Sequence, residues 1–143
     1  MLRRFSPGNT PTLHGSVCAG YSDLFCQMCD FAGVPVRKIS GIAKGYGYQV
    51  DGRIESKPNH DWNAVRIGGT WYLVDATWDS GHIDDSRSFR KEYRTDYLFL
   101  APEAFIYTHF PLGESDQLLS RPISMDEFAR MPWLRGGSFS NTS

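Results

Sequence analysis

The chain has 143 residues, 41% of them apolar and 14% aromatic, which is enough for one domain with a buried core and too little for two. A formal net charge of −1 excludes the basic footprint of a nucleic-acid or anionic-membrane binder, and no apolar run approaches the roughly 20 residues that span a bilayer. The start Met1-Leu-Arg-Arg lacks the apolar stretch of a signal peptide, and three cysteines give no disulfide framework, so a cytoplasmic protein is expected.

Residues 1–15, rich in Pro, Gly, Thr and Arg, read as an irregular lead-in. Apolar residues then recur at Val17, Tyr21, Leu24, Phe25, Met28, Cys29 and Ala32, the spacing of a helix with one buried face. Ser16 is its expected N-cap, and Gly33 followed by Pro35 ends it. Val34 to Ala43 reads as a strand running into Lys44-Gly-Tyr-Gly-Tyr48, where two glycines mark a turn or bulge. A polar loop over 51–59 follows.

His60 to Trp78 is the most informative stretch. Two runs of β-branched and aromatic residues flank Gly68-Gly69, and a Gly-Gly pair supplies the positive φ angles of a two-residue hairpin. Pairing Ile67 with Thr70 sets Trp62 opposite Asp75 and His60 opposite Thr77. His60 and Asp75 then share a face as diagonal neighbours, about 7 Å apart at Cβ, within reach of a hydrogen bond. A turn one residue longer would send the two side chains to opposite faces.

Beyond the hairpin, residues 79–91 are charged and Ser-rich and read as an exposed loop. Thr95 to Leu100 reads as a short strand, Pro102 to Phe105 as one helical turn, and Ser124-Met-Asp-Glu127 as a capping box starting a helix that Pro132 stops. Residues 136–143 read as a disordered tail, leaving 16–135 as the folded domain.

Three residues carry chemistry together. Cys18, in the first turn of the expected helix, sits where free backbone N–H groups and the helix dipole favour a thiolate. A nucleophile, a base and a carboxylate that orients the base are what acyl transfer requires, and Cys18, His60 and Asp75 supply them. Singly, each has a plainer reading: a small buried cysteine, a satisfied strand histidine, a turn or salt-bridge aspartate. An aspartate inside the apolar run Trp71 to Ala76 needs a partner, however. Trp62, Trp71 and Trp78 are candidates for a substrate cleft beside the hairpin, with Trp62 and Trp78 taken as substrate-binding, and core packing is expected for at least one of the three.

Cys26-x-x-Cys29 invites a redox or zinc reading, but redox pairs stand at a helix N-terminus and this one falls mid-helix. His14, His82 and His109 offer no second ligand pair at zinc spacing, and no acidic calcium loop occurs, so neither metal nor cofactor is expected.

Val17-Cys-Ala-Gly-Tyr-Ser22, Lys44-Gly-Tyr-Gly-Tyr48, His60-Asp-Trp-Asn-Ala-Val65, Trp71-Tyr-Leu-Val-Asp-Ala-Thr-Trp78 and His109-Phe-Pro111 together resemble the transglutaminase-like domain of the kyphoscoliosis peptidase family. The resemblance implies an α+β, papain-like core: a helix bearing the nucleophile, packed on an antiparallel sheet that presents His and Asp. It assigns Cys18 as nucleophile, His60 as base and Asp75 as orienter, in a eukaryotic intracellular protein. Its partners would be protein substrates or cytoskeletal proteins, and the alternative is an inactive interaction domain of the same fold. Relatives carry a helical segment well upstream of the cysteine, whereas 17 residues precede Cys18 here, as in a truncated or alternatively started copy. Asp61 and Ser16 stand where relatives usually have Ala and Gly, and Asp61, pointing away from His60, should perturb it little.

Overall fold

The computed structural model describes residues 14–45, 54 and 57–134. The tail expected over 136–143, the Tyr46 to Tyr48 turn, most of the 51–59 loop and nearly all of the lead-in lie outside them. Helix α1 spans His14–Ala32, so Ser16 is not its N-cap: the helix has already begun two residues earlier. It ends as expected, with Gly33 at φ 74° and the Val34 N–H reaching back to the Cys29 carbonyl at 2.8 Å.

Strands β1 (Val36–Ala43), β2 (His60–Ile67), β3 (Thr70–Val74) and β6 (His109–Pro111) form one antiparallel sheet in the order β3-β2-β1-β6. The Gly-Gly turn sets the anticipated register, Ile67 against Thr70, with φ 58° at Gly68 and 81° at Gly69. The ladder stops at Asn63 against Val74, earlier than anticipated. At Asp75 the chain leaves the sheet, because Asp75 caps the short helix α2 (Ala76–Asp79) by accepting the Trp78 N–H at 3.0 Å. His60 therefore has Gly41 of β1 opposite it, not Thr77.

Alternation along β2 divides the core. Trp62 and Ala64 pack with Ile39, Leu73, Tyr97 and Phe105, while Val65 packs with Val74 and Cys29 of α1. Gly41 is needed where β1 passes β6: a Cβ there would run into the Phe110 carbonyl oxygen, the Trp62 ring at 2.6 Å and Pro111 Cα at 2.7 Å. Asn63, fully buried, ties α1 to the sheet by donating to the Ser22 carbonyl at 3.1 Å, the Cys26 sulfur at 3.2 Å and the Arg37 carbonyl at 3.3 Å.

α1 presents a different face to the sheet from the one its apolar spacing suggests. Cys18, Ser22 and Cys29 are buried, whereas Val17, Leu24 and Met28 are more than half exposed and Phe31 is 91% exposed. The region expected as an open loop from residue 79 contains a hairpin, β4 (Gly81–Ile83) with β5 (Phe89–Lys91). Its turn is closed by Asp84, whose Oδ1 accepts the backbone N–H groups of Ser86 and Ser88 at 2.9 and 3.1 Å. Thr95 to Leu100 is not a strand: only Leu100 bridges to Leu73, and Phe99 turns at φ 54°. The turn at α3 (Pro102–Phe105) and the capped helix α4 (Met125–Arg130) form as read, with both bonds of the Ser124–Glu127 capping box in place.

Candidate active site

The sheet register and α1 bring the three chosen residues into one cluster. His60 Nε2 lies 2.6 Å from Asp75 Oδ2. The imidazole is also hydrogen-bonded to the Cys18 thiol, which in turn receives the Asp61 backbone N–H. With Nε2 on the carboxylate, Nδ1 is the nitrogen left for sulfur. Cys18 is the fifth residue of α1, not in its first turn, so the free N–H groups of the helix start do not act on it directly.

Charge, more than the helix, sets the protonation states. Burial alone would push the Cys18 thiol up, but the hydrogen bond and charge of His60, together with the Asp61 N–H, bring it below the ordinary thiol range. Burial would likewise lower His60, and the Asp75 carboxylate and Cys18 overcome it, holding the imidazole protonated up to about 10. Asp75 is fully buried, yet the charge of His60 and the hydrogen bonds of both histidines keep its carboxyl well below the usual range. The thiols of Cys26 and Cys29 move the other way, raised by burial and by the nearby Asp30. One cysteine of three is thus shifted toward the thiolate, beside a histidine held as imidazolium.

The Asp61 carboxylate hydrogen-bonds the Ser40 hydroxyl and lies 3.9 Å from the Lys38 ammonium. Its charge opposes the Cys18 thiolate but is the smallest of the influences on it.

The tryptophans divide. Trp62 is 1% exposed and edge-on to His109 at 4.9 Å between ring centroids, so it is core and has no free face for a substrate. Trp78 is half-buried, 5.5 Å from the His60 ring, and keeps accessible surface beside the cluster. Trp71 lines a separate groove of about 520 Å³ with Tyr72, Pro102 and Leu118, away from Cys18.

One member of the cluster was not singled out from the sequence. His109, from β6, places its Nε2 2.7 Å from the same Asp75 oxygen that His60 meets. Only the His109-Phe-Pro111 block hinted at it, since a single histidine in a three-residue strand carries no period. Among the described residues His60, Asp75 and His109 form the one set with three metal-ligand types of donor in reach of each other. Their 2.6 and 2.7 Å separations are those of hydrogen bonds, shorter than the roughly 3.3 Å between ligands around tetrahedral zinc bound at about 2.0 Å.

Residues 8–76, which include all three of Cys18, His60 and Asp75, match the family model described as the transglutaminase-like superfamily. The chain belongs to the transglutaminase-like superfamily. Within this superfamily it is 39% identical over 125 residues to the kyphoscoliosis peptidases of Mus musculus and Homo sapiens, covering 87% of this chain and 19% of theirs. It is 35% identical over 127 residues to Hillarin of Drosophila melanogaster, covering 80% of this chain and 16% of that protein. The chain therefore spans about a fifth of the length of these relatives or less. The transglutaminase-like assignment agrees with the α+β architecture, a long helix against an antiparallel sheet. None of the helices described here is long and apolar enough to cross a membrane.

Proposed function

We propose that this transglutaminase-like domain is a cysteine-dependent acyl-transfer centre acting on proteins. The observation that supports it most is the continuous contact from the Cys18 thiol through His60 to Asp75 Oδ2 at 2.6 Å. The Cys18 thiolate attacks the carbonyl carbon of a peptide bond or a glutamine side-chain amide, and a C–S bond forms. As the tetrahedral intermediate collapses, the C–N bond breaks and the His60 imidazolium gives its proton to the leaving amine. Asp75 holds the ring so that the nitrogen facing sulfur carries the transferable proton. In the second half His60 takes a proton from the acceptor, and the thioester passes to water in a peptidase or to a lysine amine in a transglutaminase. Trp78, the half-buried ring beside His60, is the residue we assign to substrate contact.

The resemblance to the kyphoscoliosis peptidase family supports cytoskeletal proteins as the substrates or partners, in the cytoplasm, with no nucleic acid, membrane, metal or cofactor required. Turnover of a labelled casein by the purified chain, compared with Cys18→Ala, tests the proposal. Loss of turnover in the variant is expected, and equal turnover in both would refute it.

A second reading is favoured by one observation, the exposed row Val17, Leu24, Met28 and Phe31 on α1. In that reading the domain binds protein partners without turning them over. Binding that survives Cys18→Ala, with no turnover by the wild type, is what it predicts.

A further inference from the structure

The fixed side of the orienting carboxylate Asp75 is a helix cap and not a strand. It stands at the N-cap of α2, with Oδ1 committed to the Trp78 N–H at 3.0 Å. Oδ2 is then shared by two imidazoles, His60 at 2.6 Å and His109 at 2.7 Å. The acyl-transfer reading uses only the first.

We propose that His109 is a positioning residue of the acyl-transfer centre: its Nε2–H clamps Asp75 Oδ2 so that the carboxylate stays ionised and aimed at His60. The inference rests on the acyl-transfer reading and adds a residue to it.

The ring of His109 is built to act as a fixed donor. It is fully buried and wedged among Phe105 at 4.0 Å, Trp78 at 4.5 Å and Trp62 at 4.9 Å between ring centroids. Its backbone is pinned by pairing with Ala43 of β1. On the far side, Nδ1 lies 2.8 Å from the Thr108 hydroxyl. Burial outweighs the pull of Asp75 and keeps the ring neutral down to about pH 4, so it carries a single proton. Facing an ionised carboxylate oxygen, that proton belongs on Nε2, and Nδ1 accepts from Thr108. A neutral donor supports Asp75 without adding a second positive charge to compete with the His60 imidazolium.

The consequence reaches the sulfur. In a site closed to water, each N–H on a carboxylate replaces solvation that burial has removed, and three donors hold it deprotonated. With the His109 donor gone, Asp75 competes for the proton it shares with His60, the pair relaxes toward two neutral groups, and Cys18 recovers its own proton. The groups that titrate or carry charge around this couple are Cys18, His60, Asp61, Asp79, Tyr97 and His109, on α1, β2, α2, β6 and the segment before α3.

The test is a pH titration of the Cys18 thiolate by ultraviolet absorbance, each protein measured against its own Cys18→Ser counterpart. His109→Phe keeps a flat ring in the aromatic cage and loses the donor. His109→Gln loses the ring and keeps an N–H where Nε2 was. We expect the midpoint to rise by about one unit or more in His109→Phe, the worth of one hydrogen bond to a charged group. We expect it to return to the wild-type value in His109→Gln. A residue that served packing alone would give the reverse order, and an unchanged midpoint in His109→Phe overturns the proposal. Should His109→Phe not fold, His109→Leu decides: close to Gln in size but without a donor, it should give a higher midpoint than His109→Gln, and equal midpoints are equally fatal. A wild-type midpoint at the ordinary thiol value, about 8.5, would instead defeat the acyl-transfer reading itself.

Discussion

His60 and Asp75 meet at 2.6 Å at a point where the hairpin that carries them has already come apart. Strand pairing ends at Val74, and the carboxylate is held by its role as a helix cap. The orienting group of the site is thus anchored by α2, while the base is anchored by the pairing of β2 with β1. Asp75→Asn keeps the shape and the cap but removes the charge that raises His60 against its burial. The rate of Cys18 alkylation by iodoacetamide near neutral pH should fall at least about tenfold, toward the rates of Cys26 and Cys29. Peptide mapping of the adducts reads this directly, and a Cys18 rate unchanged by the substitution would separate Asp75 from the thiol.

His109 gives the fold a pH dependence of its own. Its folded pKa, about 4, lies below the unfolded value of about 6.5 because burial disfavours the charged ring. The unfolded chain therefore binds the proton first as pH falls. The stability this group contributes is complete above about pH 6.5 and is lost toward pH 4. Asp79, pushed up by burial to about 6, works in the opposite direction over part of that range, but it is present in both proteins and drops out of the difference between them. Urea unfolding of wild type and His109→Phe at a series of pH values should show the variant gaining on the wild type between pH 6.5 and 4, by roughly 3 kcal/mol at most. A pH-independent difference would contradict the buried, neutral ring.

Gly41 lets β6 come close enough for His109 to reach Asp75. Gly41→Ala would press a methyl group on the Phe110 carbonyl oxygen, the Trp62 ring and Pro111. Overpacking of this kind costs typically about 1–3 kcal/mol. The loss should appear as a lower urea midpoint, with Cys18 reactivity falling alongside as β6 shifts. Full stability in the variant would mean that β1 and β6 have slack that the close approach does not suggest.

The hairpin was legible because Gly68-Gly69 fixes both turn and register, and that register points His60 and Asp75 toward one another before the α2 cap completes their contact. The α4 cap was legible for a similar reason, a local pattern with one physical solution. What failed needed information from elsewhere in the chain. Apolar residues occur all round α1, so spacing could not choose its buried face. The choice was made by the close approach of β2, which admits Cys18 and lets Asn63 bond the Ser22 carbonyl and the Cys26 sulfur, and excludes Met28 and Phe31. The departure of the chain from the sheet is encoded in Asp75 as an N-cap ahead of Ala76, a cue masked by the strand pattern before it. The role of His109 had no local cue, since its contact with Asp75 crosses 34 positions of sequence.

The central claim is that the Cys18 sulfur accepts an acyl group under the control of His60. The most direct measurement is intact-protein and peptide mass spectrometry after brief exposure to p-nitrophenyl acetate, with nitrophenolate release followed in parallel. One acetyl group on Cys18, formed in a burst and lost with His60→Gln, is the predicted result. Acetylation spread over Cys18, Cys26 and Cys29 alike, or unaltered by His60→Gln, would contradict it.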